Sequence, residues 1–116
     1  MDFKHIDWDS IAAEQLSPLL ERRYFSTKQL TLARFVLKKG CIVARHQHVN
    51  EQLAFVMEGS MKFALDGREI VLRAGESLWI PPNVPHSAEA LEDTVDIDVF
   101  SPPRADWLAQ QDAYLR

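Results

Sequence analysis

Gly40-Cys-Ile-Val-Ala-Arg-His46-Gln-His48-Val-Asn-Glu-Gln52-Leu-Ala-Phe-Val-Met-Glu-Gly59 and, further on, Gly75-Glu-Ser-Leu-Trp-Ile-Pro81-Pro-Asn83-Val-Pro-His86 are the stretches that decide how this chain folds. His46 and His48 are one residue apart, a spacing that on a strand sends both imidazoles to the same face, where they can share a ligand. Gln52 follows with a side-chain oxygen, a hard donor beside the two rings. His86 comes just after a proline-rich loop, where a loop-to-strand junction can deliver a third imidazole. Neutral imidazole suits Zn, Ni, Fe or Cu, and the oxygen of Gln52 narrows that choice little further. Of the four histidines only His5 lies outside these stretches, and it reads as a surface residue.

Outward from this region the sequence is written in short strands. Leu30 to Lys38 is strand-like and stops at Gly40. Leu53 to Met57 is a short apolar run closed by Glu58-Gly59. Met61, Phe63 and Leu65 alternate with Lys62 and Ala64, the period of a half-buried strand. Asp66-Gly67 is a strong hairpin signal, and Ile70 and Leu72 continue the returning strand. Ala74-Gly75 turns into Ser77 to Ile80, and Pro81 to Pro85 must be loop because proline cannot donate to a ladder. His86 onward and Asp93 to Phe100 supply two more strands. Near the start, Ile11 to Gln15 reads as a helical turn before a strand over Leu19 to Phe25. Near the end, Ala105 to Leu115 reads as a helix packing through Trp107, Leu108, Tyr114 and Leu115. Many short strands in a small chain predict an all-β sandwich or barrel.

The composition fits one domain over residues 1–116, with 47% hydrophobic and 26% charged residues. The formal charge of −4 offers nucleic acid no general attraction, and no basic stretch or helix-turn-helix pattern is present. Cys41 is the single cysteine, so no intramolecular disulfide framework arises, and it reads as a small core residue. Met1 to Asp7 lacks the apolar core of a signal peptide, and no apolar run reaches the roughly 18 residues of a membrane span. A cytoplasmic protein without membrane or nucleic-acid partners is the expectation. Arg34, Arg45 and Arg73 are candidates for a cavity mouth, and Trp79 reads as a packing residue.

Thr94-Val-Asp-Ile-Asp-Val-Phe-Ser-Pro-Pro-Arg104 is unusual for a strand. Val95, Ile97 and Val99 share one face; Asp96, Asp98 and Phe100 share the other. Two carboxylates on one face describe a solvated edge in a sandwich, but the lumen of a barrel with a ligand cavity would hold them as well. From just beyond the strand, Arg104 can reach back to clamp a carboxylate through two parallel hydrogen bonds.

The spacing Gly40, five residues, His46-x-His48, three residues, Gln52, six residues, Gly59 resembles the first motif of the cupins, and Gly75, Pro81 and His86 resemble the second. The 15 residues between the motifs match compact members. Asn83 stands where the second motif usually has glycine, and asparagine also tolerates a positive φ. Gln52 replaces the usual glutamate; a neutral ligand leaves the ion its full charge and leans toward Lewis-acid over oxygen chemistry. Glu51 is the rival ligand. Within the cupins, His46 to Gln52, Phe55 to Ser60 and the Asp98-Val-Phe-Ser-Pro-Pro-Arg104 signature resemble the KdgF-type pectin-degradation cupins.

That resemblance implies a double-stranded β-helix barrel, or jelly roll, with its core at about 24–102 and a short C-terminal helix at about 105–115. It implies one divalent ion (Ni, Zn, Fe or Mn) on His46, His48, Gln52 and His86, with Asp98, Phe100 and Arg104 as catalytic residues. The implied reaction converts 4,5-unsaturated uronates from pectin or alginate lyases into linear 4-deoxy-5-keto uronates. A homodimer through outer strands is also expected. A small metal-dependent dioxygenase and a non-catalytic sugar-binding or sensor cupin are the alternatives, because this fold hosts many chemistries.

Overall fold

The computed structural model describes residues 2–116. Ten strands follow in order: β1 (Glu14–Ser17), β2 (Leu20–Ser26), β3 (Thr31–Leu37), β4 (Ile42–His46), β5 (Glu51–Glu58), β6 (Ser60–Leu65), β7 (Arg68–Arg73), β8 (Ser77–Ile80), β9 (His86–Ala90) and β10 (Thr94–Ser101). They form two antiparallel sheets, a six-stranded one in the order β1-β2-β3-β10-β5-β8 and a four-stranded one in the order β4-β9-β6-β7. The inner faces meet in a core that includes Phe35, Val56, Met61, Phe63, Leu72 and Phe100, all buried. This is the all-β sandwich or barrel that the strand pattern predicts and the jelly roll that the cupin resemblance implies.

Alternation does most of the positioning. In β3 and β10 every second residue is buried, and the two strands pair with Asp98 opposite Ala33. On its other side β10 pairs with β5, which sets Phe100 opposite Gln52 and Asp98 opposite Ala54. The small alanines on both flanks leave room above the sheet for the Asp98 carboxyl. The two-residue turn Asp66-Gly67 has positive φ at both positions (51° and 69°), the geometry that matches the twist of a tight hairpin.

Gly59 shows why the first motif must end in glycine. Its φ is +86°, and an added Cβ would overlap the Asp93 carbonyl oxygen and come within 2.9 Å of Thr94 Cα. The Thr94 hydroxyl fixes this crossing by donating to the Ser60 carbonyl (3.1 Å) and accepting from the Ser60 amide (3.2 Å). Gly59→Ala should therefore cost about 3 kcal/mol or more, combining left-handed strain with backbone displacement. A fall in the urea midpoint with unchanged slope checks this.

Two expectations at the ends are corrected. The helical turn expected at Ile11 to Gln15 lies earlier, as a 3₁₀ turn at Trp8–Ser10 with Asp7 as its cap, while Glu14–Ser17 is strand β1. The core sheet therefore begins at residue 14 rather than 24. The helix expected over Ala105–Leu115 is a single turn, α1 (Ala105–Leu108), followed by a 3₁₀ turn at Ala113–Leu115. Gln110 between them has φ 58°, which no continuous helix accepts. A tertiary contact overrides the local pattern here. Asp112, 2% exposed, pairs at 2.9 Å with the guanidinium of Arg22, 1% exposed, and this ion pair bends the tail back over the barrel.

Candidate functional site

β4 ends at His46, so His48 sits in the loop just beyond the strand rather than on it. The same-face geometry still holds. The rings of His46 and His48 lie 5.5 Å apart, and those of His46 and His86 4.4 Å apart, the latter two being cross-strand partners of β4 and β9. One nitrogen from each of the three rings falls within a 4.8 Å span. Asn83, with φ 61°, makes the turn that glycine usually makes, and its amide donates to the His48 carbonyl (2.8 Å), tying the second motif to the first.

The hydrogen bonding of these rings fits a metal ion. Each Nδ1 is tied to a backbone carbonyl: His46 to Ala44 (2.8 Å), His48 to Asn50 (3.0 Å) and His86 to Val84 (2.8 Å). Holding the proton on Nδ1 leaves each Nε2 with a bare lone pair, the usual arrangement of a metal-binding histidine. His86 Nε2 is buried with no partner. His48 Nε2 faces Gln52 Oε1 at 3.1 Å, so two acceptors confront each other, a contact that a cation between them resolves. Burial pushes the His46 and His48 pKa values down to about 4 and lowers that of His86, so all three are neutral near pH 7. Glu51 is not part of the site. Alternation turns it outward, where its carboxylate accepts from Trp79 Nε1 (3.1 Å).

Across the cavity, the solvated-edge reading of β10 gives way to the luminal one. Asp96 is 2% exposed and Asp98 4%, and both line the same cavity as His46, Gln52, His86, Phe100 and Arg104. Each carboxyl leaves its Oδ1 buried without a partner. Burial pushes Asp98 up to about 6, opposed by Asp96, Gln52 and Arg104, all of which favour its ionised form. Asp96 is raised further, by burial and by the neighbouring Asp98 charge. The pair thus keeps a proton deep in the cavity under conditions where an ordinary carboxyl has none.

Arg104 lies in the cavity wall, 1% exposed, with its guanidinium over the rings of Phe100 (4.6 Å) and Trp107 (4.4 Å). The expected carboxylate clamp is already occupied along one edge. Asp106 accepts from Nε (2.9 Å) and Nη2 (2.7 Å), and the Tyr114 hydroxyl is a further partner of Nη2. Nη1 alone has no protein partner among the described residues, and it is the donor left for a ligand.

Other candidates fall away. Trp79 is 56% exposed on the outer face of an edge strand, so it neither packs in the core nor stacks in the cavity. Arg34, Arg45 and Arg73 all lie outside the cavity lining. Cys41 is buried in the core, as expected, and His5 is exposed. The sequence reading missed Asn50, whose side-chain amide donates to the carbonyls of Pro102 and Pro103 and ties the histidine loop to the chain leading into Arg104. It also missed Asp106. Neither residue stands at a motif position: Asn50 acts through a contact far off in sequence, and a two-residue spacing does not mark Asp106 as the partner of Arg104.

These five titrating groups make opposing demands on folding. Below the ordinary imidazole range the unfolded chain protonates all three imidazoles, whereas in the folded, metal-free chain burial holds His46 and His48 neutral down to about pH 4 and shifts His86 in the same direction, and the folded chain keeps protons on Asp96 and Asp98. The depressed histidines outnumber the raised carboxyls by one, so the unfolded state binds more protons and stability from this cluster rises with pH. The slope is at most about 1.4 kcal/mol per pH unit for each net proton, and it fades as the unfolded chain's imidazoles lose their protons near pH 6.5. Urea unfolding of chelator-treated protein at pH 4.5 and 6.5 checks this, and His86→Ala should flatten the rise.

Residues 33–101 match the cupin domain model. The chain is a cupin. The pectin degradation protein KdgF of Dickeya dadantii (strain 3937) is 31% identical over 103 residues, covering 86% of this chain and 94% of that protein. A KdgF structure from Halomonas sp. superposes with a TM-score of 0.79 at 29% identity, covering 85% and 94% of the two chains. An RmlC-like cupin from Shewanella frigidimarina gives 0.83 at 30% identity, covering 90% and 96%. Within the cupins, then, this chain is of the KdgF kind. Among the described residues, no helix is long and apolar enough to cross a membrane.

Proposed function

We propose that this cupin opens the ring of 4,5-unsaturated uronates to give linear 4-deoxy-5-keto uronates. The observation that carries the reading is Asp98, a buried carboxyl with a free Oδ1 and a raised pKa, sharing a cavity with three convergent imidazoles and Arg104. The similarity to KdgF proteins of pectin degradation supports the substrate class.

The reaction is an isomerisation. The C1 hydroxyl loses a proton as the C1–ring oxygen bond breaks, the ring oxygen becomes an enol oxygen at C5, and C4 gains a proton as the enol becomes a ketone. Asp98 is the group placed to move that proton, taking it at oxygen and delivering it at C4. Asp96 beside it keeps the pair from losing both protons near neutral pH. Arg104 Nη1 meets the substrate carboxylate and offsets the acidic character of the chain, while Phe100 packs on the sugar. A divalent ion (Ni, Zn, Fe or Mn) held by His46, His48, His86 and Gln52 would supply Lewis-acid stabilisation of oxygen where negative charge develops.

Product analysis by NMR tests the reaction. Incubation in D₂O should place deuterium at C4 of a linear keto acid, faster than in the spontaneous reaction. Incorporation of solvent oxygen at carbons other than the hydratable carbonyls would point to a hydrolytic reaction instead.

We also propose that a second copy covers the outer face of the six-stranded sheet. Leu53, Met57 and Trp79 are exposed there beside the half-buried Phe55 and Ile97. The same face carries Arg34 toward one side and Glu51 and Glu58 toward the other, an arrangement that is self-complementary about a two-fold axis. Light scattering should give a dimer that Met57→Glu converts to monomer; a monomeric parent chain would refute this.

A further inference from the structure

From the sequence Tyr114 reads as a packing residue of the tail, but its surroundings are those of a site residue. Its ring stacks on His46, with centroids 4.3 Å apart and planes at 19°. Its hydroxyl accepts from Trp107 Nε1 (3.1 Å), donates to Asp106 Oδ2 (3.1 Å) and contacts Arg104 Nη2. One side chain therefore joins the imidazole cluster to the guanidinium on the other wall of the cavity.

The topology explains why His46 needs such a partner. β4 is an edge strand with only β9 beside it, and the pairing slips between Val43 and His46. The 3₁₀ turn carrying Tyr114 packs on β4 in place of the missing neighbour. The tail is itself anchored from below, where Asp112 binds Arg22 in a buried ion pair (2.9 Å) and Leu115 joins the core. The Nδ1 bond to Ala44 fixes the tautomer of His46, but a ring held at one atom still swings; a stacked phenol on its face sets the plane.

We propose that Tyr114 is a positioning residue for both halves of the site, its ring setting the plane of His46 for the metal and its hydroxyl setting Arg104 for the carboxylate of the substrate. The second half rests on the uronate reading; the first does not. Packing alone would need the ring and not three polar contacts ending on Arg104, Asp106 and Trp107.

The two roles separate by substitution. Tyr114→Phe keeps the stack and loses the hydroxyl, whereas Tyr114→Leu fills space with neither. Calorimetric titration of chelated protein with Ni²⁺ or Zn²⁺ should show the phenylalanine variant within about twofold of the parent chain, and the leucine variant weaker by about tenfold or more, as for other supports of metal ligands. With the unsaturated uronate, Tyr114→Phe should raise KM about three- to tenfold, more than it lowers kcat. Tyr114→Met takes over the metal titration if the leucine variant does not fold. Equal metal affinity in all variants, equal loss in the phenylalanine and leucine variants, or an unchanged KM in Tyr114→Phe would overturn the proposal. If the parent chain turns over no uronate, the function reading fails, and the metal titration alone still decides whether Tyr114 positions His46.

Discussion

Asp98→Asn should lower turnover of unsaturated uronate by about 10² to 10⁴-fold, the range attributable to one positioned acid–base group, while leaving metal content intact. The substitution preserves shape. Asp98 sits between Ala54 and Ala33 of the flanking strands, and its Oδ1 has no partner to lose. The amide removes a transferable proton from the cavity without opening a void. Folding should not suffer, because burying a neutral amide costs less than burying a carboxyl that must titrate. The pairing with Asp96 adds a second readout. Without Asp98 the like charge beside Asp96 is gone, so the pair's opposition to the rise of stability with pH should weaken. Metal analysis of the purified variant, set beside its rate, separates this outcome from a structural one; parallel loss of metal and rate would mean that Asp98 supports the fold of the site rather than the chemistry.

His86→Ala should remove both metal binding and turnover. His86 is 3% exposed, its Nδ1 is fixed by the Val84 carbonyl, and its Nε2 points unpartnered into the cluster. Losing one of three imidazoles should weaken metal affinity by well over the roughly 10–100-fold seen when only a supporting residue is lost. Because His86 pairs across the strands with His46 and Leu65, the truncation leaves a cavity, and a stability loss of about 1–3 kcal/mol should accompany it. The contrast with Asp98→Asn is the informative part: one variant keeps metal and loses rate, the other loses both. Retained metal stoichiometry in His86→Ala would show that the three-imidazole centre is wrongly drawn.

Much of this site can be read in the sequence. The fixed offsets among Gly40, His46, His48, Gln52, Gly59, Pro81 and His86 are backbone requirements as much as chemical ones. Gly59 crosses under Asp93 and Thr94, Asn83 turns with positive φ, and the ligands fall where the turns put them. Period-two alternation correctly set Asp96, Asp98 and Phe100 on one face, but it could not say whether that face was wet or luminal. That depended on two sheets closing, which is a property of the whole fold. Arg104 was visible as a cation beyond the strand, yet its occupation by Asp106 was not, since nothing in a two-residue spacing tells a partner from a bystander. Tyr114 was the least legible. Its contact with His46 spans most of the chain, and the tail that brings it there is bent by an ion pair to Arg22 that no local pattern encodes.

The uronate ring opening itself is tested most directly by following the absorbance of the unsaturated uronate with protein, with chelator-treated protein and without protein. The account predicts that protein accelerates the loss well beyond the spontaneous rate, that chelation returns it to that rate, and that added divalent metal restores it. A rate with protein no faster than without would contradict it.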